Sequence, residues 1–118
     1  MLAENTVLTG RRAITRSYAK INLTLDVLSK RENGYHDIKM IMQTVSLFDL
    51  ILVDKTHRGI SISTNLPYLP CNEKNIAYKA ADAFFKATGI RGGAKIVIHK
   101  NIPVAAGLAG GSGNCAAV

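Results

Sequence analysis

The glycine-rich stretch Pro103-Val-Ala-Ala-Gly-Leu-Ala-Gly-Gly-Ser-Gly113 decides the fold prediction. It follows a strand pattern over Ala94–His99 and precedes Asn114–Val118, which has the composition of an opening helix. Glycines let backbone N–H groups converge on one point, because no Cβ blocks the approach. Ahead of a helix, these donors and the positive end of the helix dipole attract phosphate. The stretch therefore indicates a phosphate-binding loop, and a flexible turn is the structural alternative.

Two well-known nucleotide loops do not account for this stretch. The P-loop pattern G-x-x-x-x-G-K-[ST] fails, because no Lys follows the glycines. The dinucleotide-binding pattern G-x-G-x-x-A matches at Gly111, Gly113 and Ala116, but the preceding strand ends too early for it. The loop is therefore assigned to neither class.

The chain before the loop predicts several β-strands. Ile14–Leu28 has a strand-like pattern, since Leu23, Leu25 and Val27 alternate with Asn22, Thr24 and Asp26 at period two, which is typical of a half-buried strand. Ile38–Val53 is rich in Ile, Met, Val and Leu and predicts two strands joined near Phe48-Asp49. Gly59–Ser63 alternates again and predicts a short strand.

Capping and turn residues mark the remaining boundaries. A helix is predicted with Asn72 as its N-cap and Gly89 as its C-terminal stop, since alanines between them recur at helical spacing. Asn33-Gly34 is a strong turn dipeptide. Residues 1–12 are predicted to form a mobile polar lead-in, and 13–118 the folded domain.

Composition excludes several classes of protein. The chain has 118 residues, of which 47% are hydrophobic and 19% charged. This balance argues against disorder and against a coiled coil. The longest apolar runs are shorter than the roughly 20 residues of a membrane helix, and no secretory signal is recognisable. A single small globular domain is expected.

The net charge of +7 is spread along the chain without a basic block. Aromatic residues make up only 6%, which is few for stacking on single-stranded bases. The charge therefore favours a basic surface or a site for a small polyanion such as a nucleotide. Cys71 and Cys115 are too few for a disulfide scaffold or a zinc site, so a cytoplasmic location is expected.

The sequence ends at Val118 within an apolar run and without a helix stop signal. A helix of one or two turns with an apolar end is unstable by itself. We therefore expect that the chain is an N-terminal fragment and that a C-terminal domain is absent from it.

Three motifs together resemble one family of enzymes. They are Ser17-Tyr-Ala-Lys-Ile-Asn-Leu23, Asn33-Gly-Tyr-His36 and the glycine-rich stretch, in that order and spacing. The chain thereby resembles the GHMP kinases, and within them the 4-diphosphocytidyl-2-C-methyl-D-erythritol kinase family of the non-mevalonate isoprenoid pathway. The resemblance covers about residues 14–118.

The resemblance implies an α+β fold, that of the ribosomal-protein-S5-like N-terminal domain. The sheet would be mixed or largely antiparallel, with helices against one face. It also implies transfer of the γ-phosphoryl group of ATP, with Mg²⁺, to a hydroxyl of the methylerythritol part of the substrate. The implied partners are small molecules, with neither a membrane nor nucleic acid.

The resemblance also assigns roles to residues. Lys20 matches the catalytic Lys, Asn22 lies near the substrate, and Tyr35 and His36 match a cytidine clamp. Ser112 is a possible contact to Mg²⁺ through ATP. The residues assigned to ATP are Asn75, Lys100, Pro103, Val104, Ala105, Ala106, Gly107, Leu108, Ala109, Gly110, Gly111, Ser112 and Gly113.

Simpler structural interpretations exist for each of these residues. Lys20 is also explained as a surface Lys of an edge strand, and Lys100 as a solvated Lys at a strand end. Tyr35 and His36 are also explained as a packed hairpin aromatic and a solvated imidazole. Asn75 is equally explained as a polar residue in the first turn of a helix.

Two departures from the family pattern stand out. Gly113 follows Ser112 where the family usually has a second hydroxyl residue. The catalytic Asp of the family would lie beyond Val118, so the fragment is expected to be inactive alone. Two alternatives remain open: another GHMP-type small-molecule kinase, and a non-enzymatic nucleic-acid-binding domain of S5-like fold.

Overall fold

The computed structural model describes residues 6–104 and 110–118. Within these ranges the chain forms a five-stranded sheet with two helices. The elements are β1 (Thr6–Thr9), β2 (Arg12–Lys30), β3 (His36–Thr56), β4 (Gly59–Thr64), α1 (Ile76–Thr88), β5 (Gly93–His99) and α2 (Gly110–Ala117). The strand order is β1-β2-β3-β5-β4, and β4 pairs with β5 in parallel while the other pairs are antiparallel. The predicted α+β fold with a mixed sheet is therefore confirmed.

Strands β2 and β3 form one long hairpin around the predicted Asn33-Gly34 turn. The Gly34 N–H donates to the Arg31 carbonyl at 3.0 Å, and Gly34 has a φ of 88°, which suits glycine. The Asn33 side chain accepts a hydrogen bond from the Tyr35 N–H at 3.1 Å. These bonds define the turn at the tip of the hairpin.

The division of Ile38–Val53 into two strands is wrong. β3 continues through Phe48 and Asp49, which pair with Tyr18 and Ser17 of β2. The polar Asp49 suggested a turn, but its carboxylate finds partners in other elements, so the strand need not end there. Tertiary context here overrides local propensity.

The predicted mobile lead-in over residues 1–12 is also wrong where the structure describes it. Thr6–Thr9 form β1, which pairs with the start of β2, and Gly10 makes the turn with a φ of 56°. The hydroxyls of Thr6 and Thr15 lie 2.8 Å apart across this pair. Residues 1–5 lie outside the described ranges.

The core lies between one face of the sheet and the two helices. Ile51, Ile96 and Ile98 are fully buried on neighbouring strands, and Ala77 and Ala81 of α1 pack on them. The end of α2 reaches the same cluster through Ala117 and Val118. Both helices therefore cover the same face, as predicted.

The N-terminal boundary of α1 differs from its prediction. Asn75 is the N-cap, and its side chain accepts from the Ala77 N–H at 2.9 Å. Asn72 lies in the preceding turn, where its side chain accepts from the Lys74 N–H at 3.0 Å. Gly89 ends the helix with a φ of 67°, so the predicted stop is confirmed.

Helix α2 begins earlier than the sequence indicates. Gly110, Gly111 and Gly113 lie inside the helix rather than in a loop before it. The predicted loop residues Ala105–Ala109 lie outside the described ranges. Neither helix in the described part of the chain is long and apolar enough to cross a bilayer.

Candidate functional site

A buried carboxylate lies where β3, the end of β5 and helix α2 meet. Asp49 is 0% exposed. Its Oδ1 accepts from the backbone N–H groups of Asn101 at 2.6 Å and Ile102 at 2.8 Å. Its Oδ2 accepts from Lys100 Nζ at 2.5 Å and from Asn114 Nδ2 at 3.0 Å. The four donors satisfy both carboxylate oxygens, as a buried charge requires.

These donors set the charge state of Asp49. Burial by itself raises the pKa of Asp49, because it disfavours the charged form. The hydrogen bonds from the Ile102 amide, the Lys100 ammonium, the Asn101 amide and Asn114 outweigh burial, so the pKa lies below its usual value. Asp49 is therefore ionised at neutral pH and forms a buried ion pair with Lys100.

Lys100 is buried, so its interpretation as a solvated strand-end residue is wrong. Its Nζ donates to Asp49 and to Asn114 Oδ1, the latter at 2.8 Å. Its backbone N–H donates to Asn65 Oδ1 at 2.7 Å, and its carbonyl accepts from Asn65 Nδ2 at 3.1 Å. The residue predicted to contact ATP is thus fixed by partners on three other segments.

The start of α2 lies directly against this cluster. A Cβ built on Gly110 would lie 3.1 Å from Ile102 Cγ2 and 3.3 Å from Lys100 Nζ. The absence of a side chain at Gly110 therefore lets the helix start approach the Lys100 ammonium closely. The free N–H groups at a helix start are donors for an anion.

Helix α2 also lies close to strand β2. A Cβ built on Gly113 would lie 2.7 Å from Ser17 Oγ and 3.9 Å from the Tyr18 carbonyl oxygen. Ser17 is buried and pairs with Asp49 across the hairpin. Gly113, where the resemblance predicts a hydroxyl residue, thus lies where the helix contacts the sheet.

Sequence reasoning missed three residues of this site, namely Asp49, Asn114 and Ser17. A signal for Asp49 was present, since a lone carboxylate within the apolar run of β3 must find partners if the strand is buried. Asn114 and Ser17 gave no comparable signal, because each has an ordinary polar role in a helix start or a strand.

Lys20 lies on β2 beside an irregularity in the hairpin. It is half-buried and pairs with Thr44, whereas Tyr18 pairs with Phe48, so the register shifts between the two pairs. Such bulges re-aim side chains and are frequent near active sites. Asn22 pairs with Met42 and is exposed.

Tyr35 and His36 lie at the tip of the hairpin and are not brought to the Asp49 cluster. Tyr35 is 75% exposed, so it is not packed on the hairpin as the simpler interpretation expected. His36 is exposed and pairs with Lys30, the last residue of β2, whereas Lys20 lies near the middle of that strand. An ion pair between Arg31 and Asp37 flanks the two side chains.

Asn75 and the residues after β5 complete the predicted set. The Asn75 amide is used locally, since its Nδ2 donates to the Pro70 carbonyl at 3.0 Å and its Oδ1 caps α1. Pro103 and Val104 are exposed at the end of the described range. The predicted contacts of Ala105–Ala109 and of the Ser112 side chain lie outside what the structure describes.

The described residues contain no group of three or more His, Cys, Asp or Glu side chains that could hold a metal ion. The oxygens of Asp49, the buried carboxylate nearest to α2, already accept hydrogen bonds from Lys100, Asn114 and two backbone amides. A cation at this site would therefore need oxygen ligands from a bound anion such as phosphate.

Comparisons with known proteins identify similar chains. Residues 75–118 match the family described as GHMP kinases N terminal domain. Over 105 residues the chain is 54% identical to 4-diphosphocytidyl-2-C-methyl-D-erythritol kinase of Clostridium kluyveri, covering 89% of this chain and 38% of that protein. Over 104 residues it is 56% identical to the protein of the same name from Clostridium perfringens, covering 87% of this chain and 36% of that one.

Solved structures agree with these similarities. A crystal structure of 4-(cytidine 5'-diphospho)-2C-methyl-D-erythritol kinase superposes with a TM-score of 0.77 at 36% identity, covering 88% of this chain and 37% of that one. Homoserine kinase from Cytophaga hutchinsonii superposes with a TM-score of 0.69 at 16% identity, covering 94% and 34%, which shows a shared fold.

The chain thus spans little more than a third of the length of the relatives that it matches. It has the α+β fold of the GHMP kinase N-terminal domain, and its sequence is similar to that of 4-diphosphocytidyl-2-C-methyl-D-erythritol kinases.

Proposed function

We propose that this chain is the nucleotide-binding part of a cytoplasmic kinase that phosphorylates 4-diphosphocytidyl-2-C-methyl-D-erythritol with ATP. The product would be the 2-phosphate, an isoprenoid precursor. The similarity to kinases named for this substrate supports the proposal. The structural observation that carries it is the start of α2, which lies against the buried Asp49–Lys100 pair.

The residues at the start of α2 fit a polyphosphate group. Gly110 has no side chain to block access to the first amides of the helix, and the helix dipole favours an anion there. Lys100 is neutralised by Asp49, so the helix amides are the main ligands that we assign to the phosphates. ATP supplies the transferred phosphoryl group, and its phosphate oxygens provide the ligands that Mg²⁺ requires.

Other residues are assigned to the acceptor substrate. Lys20, half-buried beside the register shift, would stabilise the charge that develops on the phosphoryl group. Tyr35 presents an exposed ring that can stack on cytosine, and His36 beside it can hydrogen-bond the base edge. Asn22 would orient the substrate between these two regions.

The proton of the attacking hydroxyl needs an acceptor. Asp49 cannot serve, because it is buried and its oxygens already accept four hydrogen bonds. Asp54 is bound by Arg12 through two hydrogen bonds, and Asp82 by Lys86. In line with the resemblance, we propose that the base is supplied by a segment of the kinase outside residues 1–118.

Calorimetry on this chain tests the proposal. We expect saturable binding of ATP and of 4-diphosphocytidyl-2-C-methyl-D-erythritol, and no binding of homoserine, the substrate named for the second structural neighbour. Titration with an RNA oligonucleotide at two salt concentrations tests the nucleic-acid alternative. Binding of RNA with a steep salt dependence and no binding of ATP would contradict the kinase function.

A further inference from the structure

The Asp49 carboxylate joins three segments that are distant in sequence. Lys100 is 51 residues from Asp49 along the chain, and Asn114 is 65 residues away. One oxygen holds the amides of Asn101 and Ile102, where the chain leaves β5, and the other holds Lys100 and Asn114. The residues that directly precede and follow the glycine-rich stretch are thus hydrogen-bonded to a single side chain of β3.

The charges within this cluster balance each other. Lys100 Nζ has three N–H donors, and two of them go to Asp49 and Asn114. Asn114 accepts from Lys100 through Oδ1 and donates to Asp49 through Nδ2, so its amide orientation is set by both charges. The direction of each hydrogen bond in the cluster is therefore fixed, and the charges of Asp49 and Lys100 cancel.

We propose that Asp49 is a positioning residue that sets the start of α2 for the phosphates of a nucleotide. This inference rests on the proposed function. Lys100 then acts as the counter-ion of Asp49 and does not itself bind phosphate. The alternative is that Lys100 is a direct phosphate ligand and Asp49 merely holds it when no nucleotide is bound.

Two single substitutions and their combination distinguish these roles. Asp49→Asn places an amide donor against the Lys100 ammonium and leaves that charge unbalanced. Lys100→Met leaves the Asp49 carboxylate buried without its counter-ion. Either single change breaks a buried ion pair, which is more disruptive than removing both charges.

The double variant can restore a neutral cluster that still joins the same segments. With Met at position 100, the Asn114 amide can turn over so that its Oδ1 accepts from an Nδ2 at position 49, in place of the present bond from Asn114 Nδ2 to Asp49. The Oδ1 atom at position 49 still accepts from the amides of Asn101 and Ile102. The connection between β3, the end of β5 and α2 is therefore retained without any charge.

ATP affinity measured by calorimetry is the first readout. We expect each single variant to weaken ATP about tenfold or more, and the double variant to return within about threefold of the unsubstituted protein. A direct ligand role for Lys100 predicts that the double variant stays as weak as Lys100→Met, and this result would overturn the proposal. Where a single variant does not fold, the double variant alone decides between the two outcomes.

Hydrogen exchange of the α2 amides is the second readout, and it does not depend on ATP. We expect reduced protection of α2 in the single variants and restored protection in the double variant. Unchanged protection of α2 in Asp49→Asn would also overturn the positioning role. Failure of the unsubstituted protein to bind ATP would instead contradict the proposed function, while the exchange data still test the role of Asp49.

A matched control removes a different carboxylate from the same strand. Asp54 pairs with the half-exposed Arg12, away from α2. Asp54→Asn should leave both ATP affinity and α2 protection unchanged. An equal effect of Asp54→Asn and Asp49→Asn would show a general effect of charge and would contradict the proposal.

Discussion

The Ser17 hydroxyl occupies the space that a side chain at Gly113 would need. The Cβ position of Gly113 lies only 2.7 Å from Ser17 Oγ. Helix α2 can therefore lie this close to β2 only while position 113 is a glycine or the Ser17 hydroxyl moves. A side chain at position 113 would therefore face β2.

Gly113→Ala should destabilise the protein, whereas Gly111→Ala should not. A Cβ at Gly111 would meet only Ile76 Cδ1, at an ordinary 3.5 Å, so this change gains helix propensity of up to about 1 kcal/mol. Overpacking at Gly113 should cost about 1–3 kcal/mol in the free energy of unfolding, measured with urea. Adding Ser17→Ala to Gly113→Ala should recover most of that cost, and no recovery would contradict the assigned contact.

The free energy of unfolding should fall in acid because of Asp49. Its folded-state pKa lies below the ordinary value of 3.8, so its contribution is complete above about pH 5 and is lost as the pH falls through the folded-state pKa. Urea unfolding from pH 7 to pH 2 should show a steeper loss than in the Asp49→Asn/Lys100→Met variant. Equal slopes in the two proteins would argue against this origin.

Asp54 provides a salt-sensitive comparison for the acid experiment. The hydrogen bond from Arg12 lowers the pKa of Asp54, so its contribution is also lost as the pH falls. Because this pair is exposed, salt should weaken its effect strongly. The loss of unfolding free energy that comes from Asp49 in acid should persist in salt, since the hydrogen-bond partners of Asp49 are buried.

Asn75→Ala should lower the free energy of unfolding by about 1 kcal/mol, because it removes the N-cap of α1. Asn75→Asp keeps the capping oxygen but loses the Nδ2 donor to the Pro70 carbonyl, so it should recover only part of that loss. If Asn75 also contacts adenine, the Asp variant will weaken ATP binding in calorimetry by more than its loss of stability explains. Equal stability of all three proteins would show that the cap contributes little.

Tyr35→Ala should weaken binding of the cytidine-containing substrate by about 1–3 kcal/mol, the range for loss of base stacking. ATP affinity should not change, because the hairpin tip is not in contact with the Asp49 cluster. Tyr68 offers a matched control, since it is 69% exposed and lies on a different loop. A Tyr35→Ala variant that loses ATP and keeps the cytidine substrate would refute the assignment of this turn.

Lys20→Ala should lower kcat by about 100-fold or more, measured in a phosphotransfer assay of an active protein that contains this domain. ATP affinity should change little, because we assign Lys20 to stabilising the charge that develops in the transition state. Lys79→Ala, on the exposed side of α1, serves as the control. Parallel losses of kcat and ATP affinity would indicate a role in binding instead.

Where the residues that stabilise an element lie within that element, the local sequence pattern predicted it. The strand-like pattern of Ile14–Leu28 predicted β2, and Gly89 marked the end of α1 correctly. The predicted half-burial is wrong at Leu23, Leu25 and Val27, which are exposed because neither of the two described helices covers this end of the hairpin. Strand β3 was divided wrongly because Asp49 has low strand propensity, while the groups that stabilise it come from Lys100 and Asn114. No local pattern contains partners so far away in sequence.

The same reasoning explains the misplaced start of α2. Glycines at 110, 111 and 113 each disfavour a helix by about 1 kcal/mol relative to Ala, so the sequence indicates a loop. The close approach of Gly113 to Ser17 and the bonds of Asn114 to Asp49 stabilise the helix from outside. The resemblance to a family assigned Lys100 to the nucleotide but could not show that its side chain is buried.

The two amides held by Asp49 Oδ1 give this region a built-in spectroscopic marker. The N–H groups of Asn101 and Ile102 donate at 2.6 and 2.8 Å to one buried carboxylate oxygen. Amide protons in charge-assisted bonds of this kind are shifted downfield in NMR spectra and exchange slowly with solvent. Their two signals should stand apart from the crowded amide region. Nucleotide binding can therefore be followed at the entrance to the glycine-rich stretch without attaching any probe to the protein.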